Sequence, residues 1–98
     1  MQIETKKDGN TLVLIPAGRI DSATGEAFYE AAAQSFTEEF DTLRIDFSGV
    51  DFISSKGLRV LLTLYKQLGG RKIEITGANI SVREVFRVTG LDKEFNVR

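Results

Sequence analysis

The sequence predicts an α/β domain built on a mixed β-sheet. A polar edge segment, Gln2 to Lys7, and an apolar run, Thr11 to Ile15, meet at a turn, Asp8-Gly9-Asn10, as a hairpin would. Beyond it, segments of strand period alternate with segments of helical period. Glycines punctuate the helical segments, at Gly69-Gly70 and Gly90. A hairpin followed by alternating strands and helices implies a mixed sheet with helices on at least one face.

In chain order, Gln2 to Lys7 forms a first edge strand. Thr11-Leu12-Val13-Leu14-Ile15 is nearly continuous in apolar residues, the pattern of a strand covered on both faces. Pro16 ends or bulges it, and Gly18 marks a further bend. Asp21 and Ser22 offer N-cap oxygens to a helix from Ala23 to about Glu38. Its buried face is Ala27, Phe28, Ala31, Ala32, Ser35 and Phe36. Thr42–Phe47 alternates as a third strand, with Leu43, Ile45 and Phe47 on one side. Ser48-Gly49 turns the chain, and Val50, Phe52 and Ile53 read as a loop tucked into the core. A wide apolar arc from Ser54 or Ser55 to Leu68 predicts a central, largely buried second helix. Lys72–Thr76 is a fourth strand. Asn79 or Ser81 caps a third helix with Val82, Val85, Phe86 and Thr89 inward, and Phe95 and Val97 dock behind it as a strand or turn.

The length of 98 residues predicts one domain, 1–98. A net charge of -1 with scattered Lys and Arg argues against direct nucleic-acid binding. The absence of Cys excludes disulfides and thiolate chemistry, and the absence of His removes the commonest general base and metal ligand. No apolar run is long enough to span a membrane, and the N-terminus lacks the pattern of a signal peptide. The expectation is a cytoplasmic domain without cofactor or membrane insertion.

Without His or Cys, an enzyme would need a Ser-Lys pair, paired carboxylates or a metal held by oxygens. Ser55 and Lys56 are neighbours on a helix and point about 100° apart, so they form no catalytic pair. Asp46 and Asp51 flank the Ser48-Gly49 turn; two solvated turn aspartates are a simpler reading than a shared Mg²⁺ site. The glycines fit neither phosphate-binding fingerprint. What remains is the junction at Ser54 and Ser55. Two hydroxyls at a helix N-terminus are plain caps, or they are a place where phosphate is added and removed.

At that junction, Asp46-Phe47-Ser48-Gly49-Val50-Asp51-Phe52-Ile53-Ser54-Ser55-Lys56-Gly57-Leu58-Arg59-Val60-Leu61-Leu62 resembles the signature of STAS domains, the bacterial anti-sigma factor antagonists and their relatives. Gly18-Arg19-Ile20-Asp21-Ser22-Ala23-Thr24 is similar to the family's loop before its first helix. Residues 82–93 are similar to its C-terminal helix and turn. The resemblance covers nearly the whole chain. It implies a four- to five-stranded mixed sheet with helices mainly on one side. It also implies a non-enzymatic binding module whose partners are an anti-sigma factor acting as a Ser/Thr kinase and a PP2C-type phosphatase.

By the same resemblance Ser55, or else Ser54, is the phosphoacceptor. If the strands before Asp21 and Ser54 are parallel neighbours, both helix N-termini emerge at one end of the sheet, and Asp21, Ser22, Ser54, Ser55 and Lys56 are the expected partner-binding face. The sequence departs from the common Asp-Ser-Ser/Thr-Gly pattern, because Lys56 directly precedes Gly57. That departure leaves open a member that is never phosphorylated. The competing functions are an accessory subunit of a transporter and a small-ligand or scaffold module.

Overall fold

A computed structural model describes all residues, Met1–Arg98. The strands are β1 (Gln2–Asp8), β2 (Thr11–Ile20), β3 (Thr42–Asp46), β4 (Gly49–Ile53), β5 (Lys72–Thr76) and β6 (Asn96–Val97). The helices are α1 (Gly25–Ser35), α2 (Ser55–Gln67) and α3 (Ile80–Thr89), with a 3-10 turn at Leu91–Lys93.

β1 and β2 pair antiparallel across a two-residue turn, where Gly9 takes φ 60°. The sheet then runs β1-β2-β3-β5-β6, parallel from β2 onward. β4 stands off this path and pairs parallel with β2. β2 therefore holds two partners end to end along one edge. β3 pairs with Thr11–Leu14 and β4 with Ala17–Ile20. Pro16 does not end β2, because it falls in the gap between those two ladders, where its missing N–H breaks no bond on that side.

The segment expected as a tucked loop is β4. Val50 and Ile53 are buried as anticipated, but Phe52 is 40% exposed. A bulge at Asp51 shifts the register, so Val50 pairs with Gly18 and Phe52 with Arg19.

One apolar cluster joins the sheet to the helices. Leu12, Leu14, Leu43, Ile45, Ile73 and Ile75 meet Phe28, Leu61, Leu64 and Phe86 in it. Phe95 closes the cluster, stacking edge-on against Tyr65 and Phe86 at centroid distances of 5.9 and 6.2 Å. α2 buries Leu58, Leu61 and Leu64 and leaves Val60, Leu62, Tyr65 and Leu68 half-buried.

The opposite face of the sheet is open, which corrects the expectation of a β2 covered on both sides. Val13 and Ile15 lie half-buried there. In register with Val13 stand Arg44 and Glu74. The Glu74 side chain is 7% exposed and pairs with Arg44 (3.0 Å), Arg98 (3.2 Å) and Lys72 (3.5 Å). Burial pushes the Glu74 carboxyl up; the Arg44 hydrogen bond and the charges of Arg44, Arg98 and Lys72 more than offset this and hold it below the usual carboxylate value. No helix is long and apolar enough to cross a membrane.

Candidate functional site

β2 and β4 are parallel neighbours, so the chain leaves both at the same end of the sheet. After β2 comes Asp21, and after β4 comes Ser54. The Ser54 N–H donates to the Ile20 carbonyl at 2.9 Å and ties the two exits together.

Ser54 is the N-cap of α2, with extended backbone at φ -91° and ψ 174°. Its Oγ accepts from the Gly57 N–H at 3.2 Å, and its carbonyl accepts from the Leu58 N–H at 2.9 Å. One of the orphan donors of the helix is thereby satisfied. Ser54 is half-buried, whereas Ser55 and Lys56, the first two helical residues, are exposed. The two hydroxyls thus differ: one is engaged in the cap and the other is open to solvent.

Gly57 is required at its position by close approach. A Cβ there would stand 2.8 Å from the Ile20 carbonyl oxygen, 2.8 Å from Ile53 Cγ1 and 2.9 Å from Ile20 Cγ2. The absence of a side chain lets the first turn of α2 rest directly on the ends of β2 and β4.

Asp21 does not cap α1 itself. The helix starts at Gly25, with Thr24 at the N-cap and no side-chain cap bond. Instead the Asp21 carboxylate closes a turn, with Oδ1 accepting from the N–H groups of Ala23 (3.0 Å) and Thr24 (3.2 Å). The Ala23 bond holds the Asp21 carboxyl below its usual value; partial burial opposes it, while the Thr24 N–H, Arg19 and the Thr24 hydroxyl reinforce it. Ser22 is exposed on this turn. α1 also ends at Ser35, short of the expected Glu38. Asp46 is engaged locally, its Oδ1 accepting from the Ser48 N–H at 2.9 Å.

Asp21, Ser22, Ser54, Ser55 and Lys56 accordingly share one end of the molecule. Ser22 and Lys56 line a groove of about 320 Å³ between α1 and α2, together with Glu26, Tyr29, Arg59 and Val60. Two neighbours escaped the sequence reading. The Arg19 guanidinium lies 4.4 Å over the exposed Phe52 ring and reaches Asp21 Oδ2 at 3.5 Å. Arg59 follows Ser55 by four residues on α2, the helical spacing that puts two side chains on one face; that spacing was the signal available for it.

The chain as a whole is similar to known proteins. A family model described as the STAS domain matches residues 2–98. The chain is 31% identical over 101 residues to the anti-sigma-B factor antagonist of Listeria monocytogenes, spanning 100% of this chain and 89% of that protein. It is 31% identical over 86 residues to the anti-sigma-F factor antagonist RsfB of Mycobacterium tuberculosis, spanning 87% of this chain and 70% of that protein. Among solved structures, it superposes on an anti-sigma factor antagonist from Mycobacterium paratuberculosis with a TM-score of 0.88 at 28% identity, covering 98% of this chain and 83% of that one.

Proposed function

The chain belongs to the STAS domain family, and on that premise we propose that it is an anti-sigma factor antagonist, a regulatory binding module rather than an enzyme. Its docking face comprises Asp21, Ser22, Ser54, Ser55 and Lys56. Its partner is an anti-sigma factor that is also a Ser/Thr kinase. Phosphorylation of Ser55 releases that partner, and a PP2C-type phosphatase restores binding.

The observation that carries this reading is the inequality of the two serines. Ser54 Oγ is committed to the Gly57 N–H, so modifying it would break the cap. Ser55 is exposed in the first turn and has no side-chain hydrogen bond to lose. Transfer would join Ser55 Oγ to the γ-phosphorus of ATP, release ADP and free the hydroxyl proton. The product adds a charge of about -1.5 to -2. At a helix N-terminus this charge meets N–H donors and the positive end of the dipole, so the fold tolerates it. A packed interface that must desolvate it does not. The modification separates binding from folding.

The test uses the cognate kinase and ATP, followed by peptide mapping of the phosphate. Phosphate is expected on Ser55. Phosphate on neither Ser54 nor Ser55 removes the switch. Calorimetric titration supplies the second arm. Ser55→Ala is expected to bind and to resist release by ATP, and Ser55→Asp to bind more weakly with an unchanged circular-dichroism spectrum. If Ser55→Asp binds as tightly as wild type, docking lies elsewhere or does not depend on charge.

A further inference from the structure

The groove between α1 and α2 brings two cations together beside a single acid. Lys56 and Arg59 are both exposed, and neither forms an ion pair within the chain. The first turn of α2 contains no acidic residue. Lys56 therefore sits where the positive end of the helix dipole disfavours it, with Arg59 one turn further along. Glu26 is the one acid among the groove residues, and it does not bridge to either cation. The Lys56 stem is laid into the groove: a methyl group at Gly25 would stand 3.8 Å from Lys56 Cγ and 3.5 Å from Val60 Cγ2. Both charges are thus presented over a partly apolar floor of Val60 and Tyr29, without a counter-ion.

Resting on the function proposed above, we propose that this groove seats an acidic segment of the anti-sigma factor, its carboxylates lying against Lys56 and Arg59. Phosphate on Ser55 then competes for the same cations from within the chain. Charge complementarity selects the occupant. The groove offers two cations beside one acid on a chain of net charge -1, a poor match for the long charge run of a nucleic acid and a good one for one or two carboxylates on a peptide. Arg59 has the geometry to displace that segment in favour of the phosphate. It lies four residues after Ser55 on the same helical face, and a guanidinium fork binds phosphate oxygens in bidentate fashion. Release is then a substitution: the internal phosphate takes the seat that the partner's carboxylate held.

The experiment uses the whole domain with phosphoserine installed at position 55 during synthesis, so that no kinase step is required. The first readout is the Arg59 Nε–H resonance. It is expected to shift on installing the phosphate and to stay in place in the unmodified protein. The second readout is the affinity of the unmodified domain for the anti-sigma factor. Arg59→Gln and Lys56→Gln are each expected to weaken binding by about tenfold at low salt, the scale of one charge-assisted hydrogen bond, and by less as salt rises. Glu26→Gln, which removes the opposing acid, is expected to tighten it. A purely structural role for these exposed residues would not give effects of opposite sign. Unchanged affinity in Arg59→Gln and Glu26→Gln, or an Arg59 resonance indifferent to the phosphate, overturns the proposal. The two readings fail separately. If the kinase leaves Ser55 unmodified while Arg59 answers the installed phosphate and both cations support binding, the switch falls and the seat stands. If Ser55→Asp releases the partner while Arg59→Gln binds normally, the seat falls and the switch stands.

Discussion

Replacing Gly57 by alanine tests whether the site depends on α2 resting directly on the strand ends. The added Cβ would stand 2.8 Å from the Ile20 carbonyl oxygen and 2.8 Å from Ile53 Cγ1. Neither neighbour can yield easily. The Ile20 carbonyl also accepts the Ser54 N–H, and both isoleucine side chains are buried. Overpacking of this kind costs about 1–3 kcal/mol, and contact with a backbone oxygen places the substitution at the upper end. Alanine recovers about 1 kcal/mol of helix propensity. The net expectation is a loss of about 2 kcal/mol, or a fall in Tm of about 8–16 °C for a domain of this size. Denaturant and thermal unfolding followed by circular dichroism measure it. Gly25→Ala is the control, because its Cβ would meet neighbours only at 3.5 and 3.8 Å; it should be neutral or slightly stabilising. If Gly57→Ala is as stable as Gly25→Ala, the first turn of α2 has room to move and the close-approach reasoning is wrong.

Ser54→Ala should lower the unfolding free energy by about 1 kcal/mol through loss of the cap, while Ser55→Ala leaves it unchanged; equal effects in a urea titration would contradict the assigned division between the two hydroxyls. The Glu74 carboxyl titrates below its unfolded value, so its stabilising contribution is complete above the unfolded carboxylate range, about pH 4.3, and is lost as pH falls through the folded value. The stability difference between wild type and Glu74→Gln should therefore stay flat near neutrality and shrink on acidification. A difference that grows as pH falls would reverse the sign assigned to its three cationic partners.

The hairpin, the alternation of strands with helices and the stops of α2 and α3 were legible because local chemistry and tertiary role agree there. Gly9, Asn79 and Gly90 act as a turn, an N-cap and a left-handed C-cap at φ 77°, as their residue types predict. β4 was not legible as a strand. The bulge at Asp51 sets its buried residues Val50 and Ile53 three apart, which destroys the alternation by which a strand is recognised. The apolar run of β2 suggested two covered faces, but Val13 and Ile15 are only half-buried over an open sheet face. At the site, the serines were found from their place before an apolar helix. The turn role of Asp21 was hidden, since an Asp that accepts from the next residues' N–H groups looks the same in sequence as one that caps a helix. Arg59 was passed over because its spacing from Ser55 alone does not single out one exposed cation on a helix; its place in the groove beside Lys56 and α1 gives it meaning.

The end-to-end seating of β3 and β4 along β2 has a consequence for motion. β4 has no strand partner except Ala17–Ile20, and that ladder is short and bulged. Its other support includes the Asn79 side-chain amide, which donates to the Val50 and Asp51 carbonyls at 3.4 Å. Opening β4 would sever these links and leave the β2–β3 and β3–β5 ladders untouched. The strand that delivers Ser54 is therefore expected to exchange its amide protons faster than the ladders beside it, held back chiefly by the buried Val50 and Ile53. A partner gripping this end of the molecule would quiet that strand first, and slowed hydrogen exchange confined to residues 49–53 would be its mark.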